Sequence, residues 1–574
     1  MMKRDLKALT DKEYDVVVIG GGSFGVCAAW DASLRGLSVA LVEKGDFCGG
    51  VSANSFKVVH GGIRYLQHAD IVRVRESCRE RSALLRIAPH LVQPLPILIP
   101  TYGHGMSGKA VLGAGILLYD LLTAGRNRGI AGPDRRIPWG RLLTRDEVLR
   151  QFPGVKKEGL TGGAVFADGQ IYNPTRLVIS FLRSAVSRRA VVANYLEVKG
   201  FLRSGKSVKG IRAIDRFTGE GIEIRAKAVL NAAGPWAEGL LGEGLGMRLD
   251  RKGTYSRDTC FVMRRRFEGP YAIAVQGRTR DPDAVVGRSA RHLFVVPWRD
   301  YSLIGVWHVV YSKSQDLVAV SDRELQVFID EMNWAYPGLS LRLEDVLIWN
   351  AGLVPFGENA SGAKDLSYGK RSIIIDHAET QGLDGLVTLI GIRYTMARGD
   401  AAKAVDILAQ KLNWKEPRPA TDKTPIFGGQ IKHFEGFIAE RMADNPWGLT
   451  PKVMRALVHN YGSEYEGVLA YAEEDKSLLE TIGESTTLRA EVMHAVHEEI
   501  ALRLSDVIFR RTDLGTGEVP KTEDIRECGK IVARELGWSK RRLEQEVEEL
   551  LSVAPTIGRE RKNLGESGRI WEMA

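Results

Sequence analysis

Residues 14–20 read YDVVVIG, an unbroken apolar run that predicts a strand buried on both faces. Glycines and small polar residues follow as GGGSFG, and VCAAWDASLRG then carries a helical pattern up to Gly36. A second apolar run, SVALVE, predicts a parallel strand ending at Glu43. Two similar runs lie far downstream. Residues 226–236, AKAVLNAAGPW, predict a strand running into Ala232, Ala233 and Gly234, and residues 385–393, GLVTLIGIR, predict another. The stretch 251–344 differs: around FVVPW and YSLIGVWHVVY, apolar and polar residues alternate, the pattern of antiparallel strands. Residues 413–425, NWKEPRPATDKTP, carry three prolines among charges and read as a linker. Beyond them the period becomes helical, most clearly over Arg489–Arg511 and Arg526–Leu551.

The expected fold class is α/β. A Rossmann-type nucleotide-binding domain takes 1–90, 155–250 and 345–412; an inserted antiparallel-sheet substrate domain takes 91–154 and 251–344; an all-helical C-terminal domain takes 426–574. A chain of 574 residues is too long for one hydrophobic core, which agrees with two or three domains.

Composition changes this picture little. The net charge of +9 favours anionic partners. Basic and acidic residues are interspersed, and no module pairs a basic stripe with stacking aromatics, so nucleic acid is not expected. Five cysteines without a CxxC read as reduced thiols in a cytoplasmic protein, with neither disulfides nor a metal site. The N-terminus MMKRDLKALTDKEYD has no apolar core for a secretory signal. The longest apolar stretch, Val111–Ala124, is interrupted by Asp120 and too short to span a bilayer. It leaves room for a peripheral contact on the cytoplasmic face of a membrane.

The chemistry begins at the first βα turn. Gly20, Gly22 and Gly25 form a GxGxxG pattern between strand and helix. The first glycine makes the tight turn, the second lets backbone approach a pyrophosphate, and the third lets helix and strand pack closely. The helix N-terminus at Ser23 offers N–H groups to phosphate. Glu43 can accept hydrogen bonds from an adenosine ribose, with Lys44 beside it. This unit serves FAD and NAD alike. A nucleotide fold that also draws on Ala233, Gly234 and Gly391 suits a large, extended, buried flavin, so FAD is the expected cofactor.

A more specific pattern starts at residues 52–67, SANSFKVVHGGIRYLQ. It continues through APHLV at 88–92, NPTR at 173–176, NAAGPW, VPW at 296–298 and IFRRTDLG at 508–515. With the glycine motif before it, this ordered set resembles the FAD-dependent glycerol-3-phosphate dehydrogenases over most of the chain. The resemblance implies non-covalent FAD and oxidation of a secondary alcohol, glycerol 3-phosphate to dihydroxyacetone phosphate. It implies electron transfer to a quinone or other acceptor, often at a membrane surface. A homodimer is one assembly this reading allows. Arg64 and Tyr65 match the family's RY pair beside flavin and substrate, and Arg64 would hold an anionic group. His60 is either an acid–base group or a loop-shaping histidine. Ser52, Ser55 and Lys57 would reach the pyrophosphate or the flavin ring, and Gly391, Arg393 and Thr395 would approach flavin and substrate.

The sequence departs from the family in the expected substrate pocket. Val354 stands where the family places a phosphate-clamping arginine, Arg393 stands where it has lysine, and the segment SRDTCFV lacks the family's histidine. Gly305-Val-Trp-His308 replaces a G-T-T-acid segment. Val354 and Trp307 would make the pocket more apolar, and His308 becomes a candidate base. Glycerol 3-phosphate would then need its contacts from Arg257, Arg64 and Arg393. The alternative is an FAD-dependent dehydrogenase or oxidase of the same build acting on a different, non-phosphorylated hydroxy or amine substrate. A third reading is a flavin-bearing protein without turnover.

Overall fold

The strand Tyr14–Ile19 lies at the middle of a parallel sheet, where its apolar side chains are covered on both faces. Val39–Val42 runs parallel on one side and the end of Gly221–Asn231 on the other, with Val17 opposite both Ala40 and Val229. Leu386–Ile390 extends the sheet parallel to Gly221–Asn231, Ile373–Asp376 closes that edge antiparallel, and Val191–Ala193 closes the other. The first half of Gly221–Asn231 leaves the parallel layer and pairs antiparallel with Ser207–Asp215, itself paired to Leu196–Ser204. Helices Ser23–Leu34, Pro174–Ser187 and Ala397–Lys411 pack together beside the sheet around Trp30 and Phe181. This computed structural model describes residues 2–105, 108–249, 254–265, 267–280, 290–357 and 371–557; 281–289 and 358–370, inside two expected segments, and 558–574, the end of a third, lie outside them.

The second sheet has nine strands, in the order Ile348–Pro355, Tyr255–Arg264, Tyr301–Tyr311, Ala290–Trp298, Ala272–Arg280, Val92–Tyr102, Leu160–Ile171 and Val58–Val59, with Arg141–Thr144 paired to Leu160–Ile171. All its pairings are antiparallel except that of Ala272–Arg280 with Val92–Tyr102. Leu160–Ile171 and Ile348–Pro355, expected in the nucleotide-binding fold, therefore belong to this sheet. The expected boundary misplaced them because both strands are almost wholly buried and lack the alternation of polar and apolar residues that marks an antiparallel strand.

Helices follow Ile426, among them Pro451–Tyr461, Arg489–Glu499, Thr522–Leu536 and Lys540–Val553. Buried ion pairs fix them to the helix Pro174–Ser187 beside the first sheet. Arg176 donates to both oxygens of Glu499 at 2.5 and 3.0 Å. Burial would raise the Glu499 carboxyl, but Arg176 and His494 hold it well below its ordinary range. The preceding segment, 413–425, has no long helix or strand, yet it is docked: Arg398 donates to Thr421 Oγ1 at 2.6 Å and Arg86 to the Asp422 carbonyl at 3.0 Å.

Candidate active site

A cavity of about 1310 Å³ opens between the two sheets, larger than a typical small-ligand pocket and long enough to take residues from all three parts of the chain. Its nucleotide end is built by the glycine turn. Gly20 has φ +109°, and a Cβ there would lie 2.6 Å from the Ala232 carbonyl. A Cβ on Gly25 would collide with the Gly20 carbonyl, so Gly25 sits behind the wall and sets the helix against the strand. Gly22 caps the helix without a side-chain bond, leaving the N-terminus open to the cavity. Ser52 Oγ accepts from the Ser23 N–H at 3.0 Å and donates to Ser23 Oγ at 3.1 Å.

Glu43 receives the N–H groups of Gly21 at 2.7 Å and Gly45 at 2.9 Å. Burial pushes its carboxyl up, against the pull of these two donors. It thereby splints the turn, and its remaining lone pairs face the same cavity. Lys44, beside Glu43, lines the same cavity. Its Nζ lies 3.1 Å from Asp316 and 4.2 Å from the Trp236 ring centroid, tying the mouth of the first domain to the second. Ala233, Gly234, Gly391 and Thr395 line the wall as expected from their strand ends.

The other end collects the HGG loop and the third strand segment. His60 presents its ring to the cavity with the side chain 49% exposed, while its Nδ1 lies 3.2 Å from Asp168 Oδ2. Asp168 Oδ1 accepts from the Gly61 N–H at 2.6 Å and Arg81 at 2.8 Å. Burial would raise this carboxyl, but His60 and Arg81 hold it below its usual range. The His60 N–H donates to Thr395 Oγ1 at 3.1 Å, joining two cavity segments. Arg393 donates to the Tyr65 hydroxyl at 2.6 Å and Ser77 Oγ at 3.2 Å; Tyr65 has Arg393 and Arg73 near its ring, at 4.9 and 4.6 Å. Arg64 lines the cavity beside them and is exposed.

The floor is one face of the second sheet. Register sets Asp258 opposite His308 and Gly352, Cys260 opposite Asn350, and Ser256 opposite Val354. Asp258, Cys260, Val306, His308, Asn350 and Val354 all face the cavity. On Tyr255–Arg264 and Tyr301–Tyr311 the alternate residues Arg257 and Trp307 do not line the cavity, which corrects two expectations. Trp307 stacks on Phe328 at 5.6 Å on the far side, so it adds no apolar surface to the pocket. Arg257 donates to Glu324 at 2.6 Å and to the Ala319 carbonyl at 2.5 Å, so it is unavailable to a substrate phosphate. His308 does reach the cavity, with Nδ1 2.8 Å from Asp258 Oδ1 and its ring near Phe356. Asp168, Asp258 and Asn350 were not singled out in the sequence, where no motif marks them.

The residues fit a flavin dinucleotide. The glycine turn has no room for a Cβ at Gly20 or Gly25, the helix N-terminus is open, and the wall carries buried polar atoms without partners, including Ser55 Oγ and Asn350 Nδ2. No His/Cys/Asp/Glu cluster suited to a metal ion occurs among the described residues.

Comparison with known proteins agrees. Residues 15–392 match the family described as FAD dependent oxidoreductase, and residues 419–543 match the C-terminal domain of alpha-glycerophosphate oxidase. The glycerol-3-phosphate dehydrogenase of Synechocystis sp. is 32% identical over 522 residues, covering 89% of this chain and 90% of that one. The aerobic glycerol-3-phosphate dehydrogenase of Staphylococcus haemolyticus is 31% identical over 547 residues, covering 92% of each. The crystal structure of the glycerol-3-phosphate dehydrogenase from Bacillus halodurans complexed with FAD superposes with a TM-score of 0.73 at 25% identity, covering 95% of both chains. The chain belongs to the FAD-dependent oxidoreductases of the glycerol-3-phosphate dehydrogenase family.

Proposed function

We propose that this protein oxidises the secondary alcohol of glycerol 3-phosphate to the ketone of dihydroxyacetone phosphate. The observation that carries the mechanism is the His60–Asp168 pair, a half-exposed imidazole backed by a buried carboxylate inside the flavin cavity. Non-covalently bound FAD supplies the hydride acceptor, and the protein supplies position and proton transfer. Gly20, Gly22, Ser23, Glu43 and Ser52 would hold its nucleotide half, and Ser55, Lys57, Ala233, Gly234, Gly391 and Thr395 its ring half.

As hydride leaves the carbinol carbon, the hydroxyl proton passes to His60 Nε2. Asp168 fixes the ring through Nδ1 and compensates the imidazolium charge. Arg81 and the Gly61 N–H keep Asp168 ionised and in place. Arg393 is a guanidinium, already protonated and without a lone pair to take a proton, so it and Arg64 serve as cations for the phosphate. His308, bound to Asp258, stands on the sheet floor as a second candidate proton acceptor.

Electrons would leave to a quinone or another acceptor at a membrane surface. The helix Lys109–Leu122 supports this: Leu117, Leu118 and Leu121 are more than half exposed, and Trp139 and Leu142 beside it are exposed too. Lys109, Arg128, Arg136 and Arg141 lie in the same stretch of chain. Together they make an apolar face with a basic border, suited to lying in an anionic headgroup layer. No described helix is long and apolar enough to cross a membrane.

Turnover of glycerol 3-phosphate by the purified holoenzyme with an artificial electron acceptor tests the reading; flavin that stays oxidised under anaerobic substrate would sink it. One observation favours the second reading, a non-phosphorylated hydroxy or amine substrate: Val354 faces the cavity where the family resemblance puts a cation. A panel of such substrates in the same assay separates the two.

A further inference from the structure

The geometry points to Tyr119 as a positioning residue for the His60–Asp168 pair: its hydroxyl shares the guanidinium hydrogens by which Arg81 holds Asp168, and so sets how much of the carboxylate is left to the imidazole. The role of Tyr119 rests on the contacts around that pair, and its kinetic consequence rests on the function proposed above. Tyr119 is a buried residue of the helix Lys109–Leu122, on the side opposite the exposed Leu117, Leu118 and Leu121. Asp120 anchors the same helix from within: its carboxylate accepts from the Gly140 N–H at 2.7 Å and pairs with Arg126 at 3.0 Å. Tyr119 Oη lies 3.0 Å from Arg81 Nη1 and 3.1 Å from Cys78 Sγ.

The hydrogens of this cluster can be counted. Cys78 Sγ donates to the Gly61 carbonyl at 3.0 Å, so the Tyr119 hydroxyl donates to the sulfur and offers its lone pairs to Arg81. Burial raises both the phenol and the thiol, so each keeps its proton. Arg81 Nη1 has two N–H groups but three acceptors: Asp168 Oδ1 at 2.8 Å, the Ala167 carbonyl at 2.8 Å and Tyr119 Oη. One of its hydrogens is therefore shared. Arg81 reaches Asp168 through this one nitrogen and one oxygen, while its Nη2 turns to Cys78 Sγ at 3.7 Å. The contact is not the bidentate fork in which a guanidinium neutralises a carboxylate most fully, and Oδ2 stays with His60.

A second observation ties the cluster to the HGG loop. A Cβ on Gly61 would run into Arg81 Nη1 and Tyr119 Oη, so these two side chains require the first glycine of that loop. The charged and titratable groups packed about the pair are Asp168 from the strand Leu160–Ile171, Cys78 and Arg81 from the helix Ile71–Ile87, Tyr119 from its own helix, and Arg126 beyond Cys78. Thr395 Oγ1 and the Phe294 ring flank His60. Removing the Tyr119 hydroxyl leaves both Nη1 hydrogens to Asp168 and Ala167. Arg81 then neutralises more of the carboxylate, and the imidazolium form of His60 loses support.

The test follows the His60 imidazole by NMR in holoenzyme carrying carbon-13 histidine, its resonance assigned by its absence from His60→Gln. Tyr119→Phe is expected to lower the His60 titration midpoint by about half a pH unit. In an Arg81→Met background the same substitution should move it less than half as far, because Tyr119 acts through Arg81. A hydroxyl that only filled space would, when lost, loosen Arg81 and raise the midpoint instead. The role is overturned if the midpoint in Tyr119→Phe rises or stays within about 0.2 unit of the parent, or if it falls at least half as far without Arg81. Should the Arg81→Met proteins fail to fold, the direction in Tyr119→Phe alone decides. The kinetic arm is anaerobic flavin reduction by glycerol 3-phosphate, whose acid limb should move down with the His60 midpoint. A lowered midpoint in an enzyme that ignores glycerol 3-phosphate would keep the positioning role and refute the substrate; turnover with an unmoved midpoint would keep the substrate and refute the role of Tyr119.

Discussion

His60 Nδ1 lies 3.2 Å from Asp168 Oδ2, while the other oxygen of that carboxylate is already held by Arg81 and a backbone N–H. The imidazole therefore has one nitrogen fixed and the other turned to the cavity. His60→Gln is expected to slow anaerobic flavin reduction by glycerol 3-phosphate by roughly 10²- to 10⁴-fold, the usual range for a general base. Asp168→Asn should slow it less. FAD content should be unchanged in His60→Gln, and a rate within threefold of the parent would rule out His60.

Gly25 has no room for a side chain, because a Cβ would run into the Gly20 carbonyl. Gly25→Val must push the helix Ser23–Leu34 away from the first strand and distort the phosphate turn. We expect protein purified without bound flavin, read from its visible spectrum, with most secondary structure retained in circular dichroism.

Val354 occupies a cavity-facing position opposite Ser256. A guanidinium there would add a charge-assisted pair to a phosphate, worth about 1.5–3 kcal/mol. Val354→Arg is therefore expected to lower KM for glycerol 3-phosphate about tenfold or more, and to leave KM for non-phosphorylated alcohols unchanged. A raised KM for both would show that the pocket uses its apolar wall.

Leu117, Leu118 and Leu121 of the helix Lys109–Leu122 are more than half exposed, which fits the interfacial role proposed above. Leu117→Ser with Leu121→Ser should reduce co-sedimentation with anionic vesicles at least tenfold at low salt, without altering turnover with a soluble acceptor. Equal sedimentation of parent and variant would remove this face from consideration.

Burial pushes the Glu491 carboxyl up to about 8, against a backbone bond from the Leu488 N–H. The folded state thus prefers the neutral form. Its contribution to stability is complete below the ordinary value near 4.5 and is lost as pH rises through about 8. Glu491→Gln should flatten the fall in stability between these limits, a difference on the order of a few kcal/mol at alkaline pH. Denaturant midpoints of both proteins at pH 5 and pH 9 check the sign.

The nucleotide end was legible in the sequence because its geometry is carried by local spacing. Gly20, Gly22, Gly25 and Glu43 sit within one βαβ unit, and each is demanded by a turn, a close approach or a strand tip. The floor of the pocket was not. Whether Arg257 or Asp258 faces inward depends on strand phase, and SRDTCFV mixes polar and apolar residues too evenly to fix it. Asp168 was invisible for another reason: it meets His60 across 108 positions of chain, and a lone carboxylate in an apolar strand carries no local signature. The resemblance to a family located the HGG loop but said nothing of what backs its histidine.

Asp46, three residues beyond Glu43, is buried and meets the C-terminal part of the chain. Arg511 grips both its oxygens at 2.8 Å, and Arg510 adds a bond at 2.6 Å. The two consecutive arginines belong to a π-helical turn, Val507–Arg511. Burial would raise the Asp46 carboxyl, but the paired guanidinium groups hold it below its usual range. The loop that would receive the adenosine half of the cofactor is therefore clamped from behind by residues more than 460 positions away. In evolutionary terms, the helical tail is not a detachable appendage to a flavin domain: trimming or exchanging it removes the keystone of the nucleotide loop, and the two parts must change together.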